Sequence, residues 1–176
     1  MTETQMRSSK FTAGDTFPEI TWPTVAGAPM TVASKSGWRL LVVYRGKHCG
    51  LCKEYLNTLN SLLDRFRNQK IMVAAVSADT RVKAETEARE QGWRFDVAFD
   101  LSVEDMHSLG LYISDPDPSE TDRPFAEPGL FVINPEGGTQ VISMSNAPFA
   151  RPDLATVLEG LKTAQEKHSP IHGTAT

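Results

Sequence analysis

The stretch of sequence that decides the fold is Val42-Val43-Tyr44-Arg45-Gly46-Lys47-His48-Cys49-Gly50-Leu51-Cys52-Lys53. It holds the only two cysteines of the chain, at positions i and i+3. Residues 38–44 form a nearly continuous apolar run, which is typical of a strand buried on both faces of a parallel sheet. After the cysteines, apolar side chains recur at helical spacing. The cysteines are therefore predicted to lie where a central strand ends and a helix begins.

The helix after the cysteines is predicted to span residues 50–68. Its expected apolar stripe recurs at intervals of three or four residues and consists of Leu51, Tyr55, Leu59, Leu62 and Phe66. Residues 71–77 form a second apolar run typical of a buried strand. A strand, a helix and a strand in this order form a right-handed crossover, so the two strands are expected to pair in parallel.

Shorter elements are predicted on either side of this unit. Prolines and glycines in residues 10–32 favour one or two short edge strands. The later elements expected are a helix to about residue 91 capped by Asp79 or Thr80, a strand at 95–99, a helix at 102–110, an antiparallel strand pair at 129–133 and 139–143, and a helix opened by Pro152. Together they predict one α/β domain over residues 10–167, with a central mixed β-sheet flanked by helices on both faces. Residues 1–9 are expected to be a flexible N terminus, and residues 168–176 a frayed polar tail.

Residues 113–127 show neither the two-residue period of a strand nor the 3.6-residue period of a helix. They are predicted to form an irregular loop. The segment contains three prolines and five acidic residues. Loops of this length are usually functional or mobile. Its role stays open between a lid, a partner-binding surface and a solvated loop.

Composition and charge limit the classes of function. The chain has 176 residues, of which 40% are apolar, with a formal net charge of −4 and a pI near 5.6. A protein of net negative charge is a poor electrostatic partner for nucleic acid or an anionic membrane surface. Residues 1–10 lack the apolar core of a secretory signal, and no apolar run is long enough to cross a bilayer. A cytoplasmic protein is therefore expected. In that reducing compartment, two cysteines are more often catalytic or metal-binding than structural.

The position of the cysteines predicts redox chemistry. A thiol at the start of a helix lies near free N–H groups and the positive end of the helix dipole, which favour the thiolate. Lys47, Lys53 and a protonated His48 are candidates to lower the thiol pKa further. A spacing of three brings Cys49 and Cys52 to one side of the helix, close enough for a disulfide that an external dithiol can reduce.

Other uses of the cysteines fit the sequence less well. A zinc site needs about four ligands, and besides the thiols only four histidines are present. A structural disulfide closing so short a loop would add little stability. An inert, buried Cys52 is a further alternative, because it shares a helix face with Leu56, Leu59 and Leu63. No nucleotide, flavin or haem motif is present, so no cofactor is expected.

Several segments resemble one known family. Residues 48–53 resemble the thioredoxin motif Trp-Cys-Gly-Pro-Cys-Lys, and residues 43–52 are similar to the Phe-Tyr-Arg-Gly-x-x-Cys-Pro-x-Cys of peroxiredoxin-like proteins. Residues 75–80 and 109–112 are similar to the Val-Ser-x-Asp-Ser and Tyr-Gly-Val regions of peroxiredoxins, and residues 128–134 resemble their Arg-Gly-Leu-Phe-Ile-Ile-Asp strand. Over most of residues 10–165, the chain thus resembles a peroxiredoxin-like protein of the AhpC/TSA (redoxin) family in the thioredoxin superfamily.

The resemblance implies a thioredoxin-like fold and an antioxidant thiol peroxidase, an oxidoreductase that reduces hydrogen peroxide or organic hydroperoxides. In such enzymes a thiolate is oxidised to a sulfenic acid, which condenses with a second thiol to a disulfide. The resemblance also implies an external thiol reductant of the thioredoxin or glutaredoxin kind. A homodimer is expected on the same ground, since relatives commonly dimerise.

Three positions depart from the family pattern Pro-x-x-x-Thr-x-x-Cys and its later arginine. Arg45 stands at the proline and Cys49 at the threonine, whereas Cys52 retains the peroxidatic cysteine. Pro128 replaces the arginine expected before the late strand, and it resembles the cis-proline that faces the cysteine pair in thioredoxins. Arg45 or Arg123 is a hypothetical substitute for the missing donor to the peroxide.

The sequence leaves the roles of the cysteines and the substrate open. Family alignment assigns the attack to Cys52 and the resolving role to Cys49. Comparison with thioredoxins, in which the exposed thiol at the helix start attacks, assigns the roles the other way round. A thiol–disulfide oxidoreductase with little peroxidase activity is the main alternative function, and a non-catalytic redox sensor or binding module is a third. The residues predicted to surround the reactive pair are Tyr44, Arg45, His48 and Pro128.

Overall fold

The computed structural model describes residues 10–176. The flexible N terminus expected for residues 1–9 lies outside the described residues. In chain order, the elements are β1 (Thr21–Trp22), β2 (Met30–Thr31), β3 (Trp38–Val43), α1 (Gly50–Asn68), β4 (Ile71–Val76), α2 (Arg81–Gln91), β5 (Asp96–Ala98), α3 (Val103–Ser108), β6 (Ile113–Ser114), β7 (Phe125–Ala126), β8 (Gly129–Ile133), β9 (Thr139–Met144) and α4 (Leu154–Lys167). Among these helices, none combines the length and the hydropathy needed to cross a bilayer.

A five-stranded mixed sheet forms the centre of the molecule, in the order β5-β4-β3-β8-β9. β3 pairs in parallel with β4, and β4 pairs in parallel with β5. β8 runs antiparallel to both β3 and β9. The predicted crossover is confirmed, and so is the central place of the strand before the cysteines, whose apolar residues need neighbours on both sides.

Helices cover both faces of this sheet, as predicted. Successive side chains of a strand point to opposite faces. Accordingly, Leu40 and Val42 lie in one core with residues of α1, α2 and α4. Leu41 and Val43 lie in a second core with residues of α3 and of the hairpin formed by β1 and β2.

Helix α1 has its predicted bounds, but a different stripe faces the sheet. Its buried side chains are Cys52, Leu56, Leu59, Leu63 and Phe66. Leu51, expected in the apolar stripe, is 48% exposed. Both stripes have helical spacing and differ only by a rotation about the helix axis, so periodicity alone does not choose between them. The rotation turns Cys52 into the core.

Residues 113–127 form a hairpin, and the prediction of an irregular loop is wrong for its two ends. β6 pairs antiparallel with β7, Ile113 opposite Ala126 and Ser114 opposite Phe125. Strands of two residues are too short to produce a visible alternation in sequence. The β6–β7 hairpin leads directly into β8, and its base therefore lies beside the carboxyl end of β3.

The C-terminal region also differs from expectation. Helix α4 begins at Leu154, and Asp153 rather than Pro152 marks its start, since the Asp153 carboxylate accepts from the Thr156 N–H at 2.9 Å. After the helix, the Gln140 side-chain amide donates to the carbonyls of Ser169 and Pro170, both at 3.3 Å. The polar tail, expected to be frayed, is bonded to β9.

Candidate active site

The two cysteines lie where predicted, at the junction of β3 and α1. Cys49 is the N-cap residue of the helix, and its Sγ accepts a hydrogen bond from the Cys52 backbone N–H at 3.2 Å. Such a bond satisfies one of the free N–H groups of the first turn. Both residues are free thiols, with 4% of Cys49 and none of Cys52 exposed.

The environment separates the acidities of the two thiols. A hydrogen bond from the Cys52 thiol lowers the pKa of Cys49 to about 5, and the Cys52 N–H and the Arg45 side chain add to this effect. The same hydrogen bond, together with burial, raises the pKa of Cys52. Of the two thiols, the one at the helix start is therefore the more acidic.

The positive charges that favour the thiolate are those of Arg45 and Arg151. The sequence had indicated Lys47, Lys53 and a protonated His48 for this role. Burial and the charge on Arg45 lower the pKa of His48, so the imidazole is neutral at physiological pH. Arg45 comes from the cysteine stretch itself, whereas Arg151 comes from the segment before α4.

Arg151 is the site residue that sequence reasoning missed. Its Nη2 donates to Cys52 Sγ at 2.6 Å, and its guanidinium lies over the Tyr55 ring at 4.9 Å. Its Nε and Nη1 are buried and have no hydrogen-bond partner among residues 10–176. The segment Ala150-Arg151-Pro152 carries no motif, and Arg151 follows Cys52 by 99 residues. Only the packing of α4 beside α1 brings the two together.

Arg45, predicted to neighbour the site, is held by the β6–β7 hairpin. Its Nε pairs with the Glu127 carboxylate at 3.1 Å, and its guanidinium stacks on the Phe125 ring at 4.8 Å. Glu127 also accepts from the Ser114 hydroxyl at 2.7 Å. These contacts keep the guanidinium beside Cys49 and link the hairpin to the reactive pair.

His48 lies under the same hairpin. Its ring meets the Phe125 ring edge-on, with 4.7 Å between centroids. Both ring nitrogens are buried, and neither has a hydrogen-bond partner in the described part of the chain. The structure thus places His48 beside Cys49 as expected, but as a packed, neutral ring.

Asp79 ties the cysteine loop to the next strand. Its carboxylate accepts from the Lys47 N–H at 2.8 Å, while Thr80 alone caps α2. Of the two predicted caps, Thr80 is therefore confirmed and Asp79 is wrong. Gly46 allows this close approach, because its φ is +135° and a Cβ there would lie 2.6 Å from Asp79 Oδ1.

The remaining predicted residues fall on two sides of the pair. Tyr44 is fully buried behind the cysteines, with its ring edge-on to Trp93 at 6.1 Å. Pro128 lines a small cavity with Tyr55 and Arg151, so it lies beside the site. No peptide bond within residues 10–176 is cis, so the comparison of Pro128 with a cis-proline is wrong.

Arg123 points away from the cysteines. It donates to the Ala78 carbonyl at 3.0 Å and pairs with Asp100 at 3.2 Å. Of the two arginines considered as substitutes for the family's donor, only Arg45 therefore lies at the site.

A profile of the AhpC/TSA family matches residues 13–142 of the sequence. The chain belongs to the AhpC/TSA family. The predicted family is thereby confirmed, and its enzyme class is that of the thiol peroxidases, which are oxidoreductases. No curated protein matches the chain in sequence.

Solved structures of peroxiredoxins share the fold of this AhpC/TSA protein. A cysteine-to-serine mutant of peroxiredoxin 6 from Arenicola marina has a TM-score of 0.76 at 15% identity, over 90% of this chain and 76% of its own. A cysteine-to-serine mutant of PrxQ from Xylella fastidiosa has a TM-score of 0.74 at 19% identity, over 90% and 99%. The bacterioferritin comigratory protein of Xanthomonas campestris, described for its alkyl peroxide reduction activity, has a TM-score of 0.64 at 16% identity, over 85% and 91%. The thioredoxin-like fold is confirmed.

Beside Arg151, this AhpC/TSA domain has an open cleft of about 420 Å³, which neither cysteine lines. Its walls include Leu51, Tyr55, Phe149, Arg151 and Pro152. Phe149 is 80% exposed, so the rim on that side is apolar. The cleft gives a route from solvent to the guanidinium that contacts Cys52. Within residues 10–176, no group of three or more His, Cys, Asp or Glu side chains is arranged to hold a metal ion.

Proposed function

We propose that this AhpC/TSA protein is a thiol peroxidase in which Cys49 attacks the hydroperoxide and Cys52 resolves the product. The observation that carries the assignment is the place of Cys49 at the N-cap of α1, where its Sγ accepts from the Cys52 N–H at 3.2 Å. The pKa of Cys49 is lowered there, whereas that of Cys52 is raised. The nucleophile in such chemistry is the thiolate. Cys49 also has the greater exposure of the two.

The reaction divides into three balanced steps. The Cys49 thiolate attacks one peroxide oxygen, the O–O bond breaks, and the alkoxide or hydroxide leaves with a proton from solvent, which gives Cys49 sulfenic acid and an alcohol or water. The Cys52 sulfur then displaces hydroxide from the sulfenic sulfur and forms the disulfide. An external dithiol, of the thioredoxin or glutaredoxin kind, reduces that disulfide. Such a cycle fits a reducing compartment such as the cytoplasm.

Two guanidinium groups supply the donors that the peroxide step requires. Arg45 stands beside Cys49, and Arg151 has two buried nitrogens, Nε and Nη1, without a partner in the described chain. Donors placed where negative charge develops on oxygen lower the barrier by several kcal/mol in other enzymes. Because the nearby cleft is partly apolar, organic hydroperoxides are proposed as substrates alongside hydrogen peroxide, as in the alkyl peroxide reduction described for the Xanthomonas campestris protein.

A thiol–disulfide oxidoreductase is the second candidate. It is favoured by the lowered pKa of Cys49 at a helix N-terminus, which also suits attack on a disulfide sulfur. In that case Cys52 attacks the mixed disulfide and releases the substrate thiol.

The reduced protein and its Cys49→Ser and Cys52→Ser variants test these assignments. Each is mixed with hydrogen peroxide, an organic hydroperoxide or a protein disulfide, and thiol loss is followed in time. We expect Cys52→Ser to accumulate a sulfenic acid on Cys49 that dimedone traps, and Cys49→Ser to consume peroxide no faster than free cysteine. The opposite pattern would assign the attack to Cys52. Rapid reaction with the disulfide, and none with either peroxide, would favour the second candidate.

A further inference from the structure

Tyr55 of α1 faces the segment before α4 rather than the sheet. The tyrosine stands three residues after Cys52 and is not among the buried side chains of the helix. Its hydroxyl donates to the Pro152 carbonyl at 2.7 Å, and the Arg151 guanidinium lies over its ring at 4.9 Å. Tyr55 therefore contacts two consecutive residues, one through its backbone and the other through its side chain.

The segment that carries Arg151 provides few other contacts to hold the side chain in place. Residues 145–153 join β9 to α4 and contain neither helix nor strand. The guanidinium donates to Cys52 Sγ at 2.6 Å, but Nε and Nη1 have no partner within residues 10–176. No carboxylate of that part of the chain forms an ion pair with Arg151. Because fixing a long side chain in one position costs conformational entropy, the contact with Tyr55 is needed to offset that cost.

An aromatic ring holds the guanidinium without neutralising its charge. The face of a tyrosine ring is electronegative and attracts a cation. A carboxylate would compete with the sulfur for the N–H donors of the guanidinium, as happens at Arg45, where Glu127 takes the Nε donor at 3.1 Å. The ring of Tyr55 leaves the positive charge of Arg151 available to the sulfur atom.

The small cavity and the open cleft beside Arg151 share three lining residues, Tyr55, Arg151 and Pro152, which therefore form the wall between them. The cleft, at about 420 Å³, has room for an arginine side chain that has left the sulfur. It is also lined by the exposed residues Glu54 and Asp153, whose carboxylates attract a guanidinium. Without the tyrosine ring, a position in the cleft would compete with the contact to the sulfur.

We propose that Tyr55 is a positioning residue for the reaction at the cysteine pair, because it holds the Arg151 guanidinium on the Cys52 sulfur and away from the cleft. The inference rests on the donor role proposed for Arg151. The ring fixes the guanidinium, and the hydroxyl fixes the backbone next to it. A guanidinium in this place stabilises the negative charge on sulfur when a thiol of the pair ionises.

The test compares two variants of Tyr55. Tyr55→Leu removes both the ring and the hydroxyl, whereas Tyr55→Phe removes only the hydrogen bond to Pro152. Reduced protein is mixed with peroxide, and the sulfenic acid and disulfide formed are counted by mass spectrometry after a dimedone quench. We expect the oxidation to slow by about tenfold in Tyr55→Leu and by about two- to threefold in Tyr55→Phe.

A double-mutant cycle with Arg151→Met distinguishes positioning from a general structural role. The guanidinium is absent in that background, so Tyr55→Leu should cause no further loss of rate there. Urea unfolding shows which variants fold, and Tyr55→Phe completes the cycle if the leucine variant does not. The inference is overturned if the Tyr55 substitution slows the reaction equally in both backgrounds, if no folded Tyr55 variant slows it, or if Arg151→Met reacts like the wild type. Tyr112→Leu, at a tyrosine that is 53% exposed, is the control and should keep the wild-type rate.

A failure of the proposed peroxidase would be recognised separately, because the wild type would then form no sulfenic acid. Alkylation of the reduced protein by iodoacetamide, followed against pH, needs no peroxide and reports the ionisation of the thiols. In Tyr55→Leu the midpoint of this profile should move to higher pH, as in Arg151→Met, since a displaced guanidinium no longer stabilises the thiolate. A profile of Tyr55→Leu that coincides with the wild type would overturn the inference, whether or not the protein reduces peroxides. If only Tyr55→Phe folds, its profile decides in the same way.

Discussion

The guanidinium of Arg151 donates from Nη2 to Cys52 Sγ at 2.6 Å, although the two residues are 99 positions apart. The contact joins the segment before α4 to the first turn of α1. It gives the more deeply buried thiol a permanent positive neighbour, and that charge also lowers the pKa of Cys49. One side chain therefore influences both sulfur atoms.

Replacing Arg151 by methionine should weaken the Cys49 thiolate. The variant keeps most of the packing on Tyr55 but removes the charge, so the pKa of Cys49 should rise and its reaction with peroxide at neutral pH should slow by about tenfold. The thiolate absorbance followed against pH reports the first effect, and stopped-flow kinetics the second. Arg65→Met, which removes an exposed partner of Glu159, is the control and should change neither. An unchanged titration in Arg151→Met would contradict the prediction.

The pH dependence of the attack follows from the acidity of Cys49. A nucleophile whose pKa is about 5 is ionised above that value, so the rate of sulfenic acid formation should fall only as the pH drops through about 5 and stay level above it. In Cys52→Ala the strongest hydrogen bond to the thiolate is absent, and the fall should move to higher pH. Rates measured in a series of buffers at constant ionic strength test both curves. Coinciding curves for the two proteins would remove the Cys52 thiol as the cause.

Arg45 and Arg123 should differ sharply when each is replaced by alanine. Arg45 lies beside Cys49 and is held by Glu127, whereas Arg123 is bonded to Ala78 and Asp100. We expect Arg45→Ala to slow peroxide consumption by about tenfold or more, and Arg123→Ala to leave it within about twofold. Equal rates in both variants and in the wild type would exclude a role for either guanidinium.

The loop before Cys49 depends on the absence of a side chain at Gly46. In Gly46→Ala the new Cβ would meet Asp79 Oδ1 at 2.6 Å, and the residue would keep a φ of +135°. We expect a loss of about 1 to 3 kcal/mol in the free energy of unfolding, together with weaker thiolate formation as the Lys47 contact shifts. Gly160→Ala in α4 is the control, because a Cβ there meets open space and alanine favours the helix. Denaturant titration should show the second variant equal to the wild type or more stable.

Glu87 should make the reduced protein less stable as the pH rises. Burial raises its pKa in the folded state to about 7 against an ordinary value of 4.5, so the folded state binds a proton that the unfolded state has released. The contribution to stability is complete below about pH 4.5 and is lost as the pH rises through about 7, with a total of about 2 to 3 kcal/mol. Urea unfolding at several pH values should show this decline in the wild type and a flatter curve in Glu87→Gln. Parallel curves would mean that the carboxyl is solvated in the folded state.

Much of the scaffold was predictable from the sequence because it depends on local patterns. The apolar run of β3, the crossover to β4 and the bounds of α1 all follow from periodicity over about ten residues. The choice of the helix face was not predictable in this way, since the stripes through Leu51 and through Cys52 are equally periodic. That choice depends on how α1 packs against the sheet, which is a property of the whole domain.

The site was only partly predictable, for a related reason. The spacing of Cys49 and Cys52 marks them as a reactive pair. Arg45 and His48 could be predicted because they are close to this pair in sequence. Arg151 reaches Cys52, and Glu127 reaches Arg45, through the packing of distant segments. A single arginine or glutamate in a sequence has no pattern that marks it.

The hydrogen bond from the Cys52 N–H to Cys49 Sγ makes the reactive sulfur part of the secondary structure. In the reduced protein the thiolate caps the first turn of α1. Once that sulfur is bonded to oxygen or to Cys52, it loses the negative charge that made it a good acceptor, and the N–H groups of the turn lose their cap. On the proposed cycle, each turnover removes and restores the cap at the start of the longest helix in the described chain. The oxidation state of one sulfur atom would thereby change the local order of the backbone.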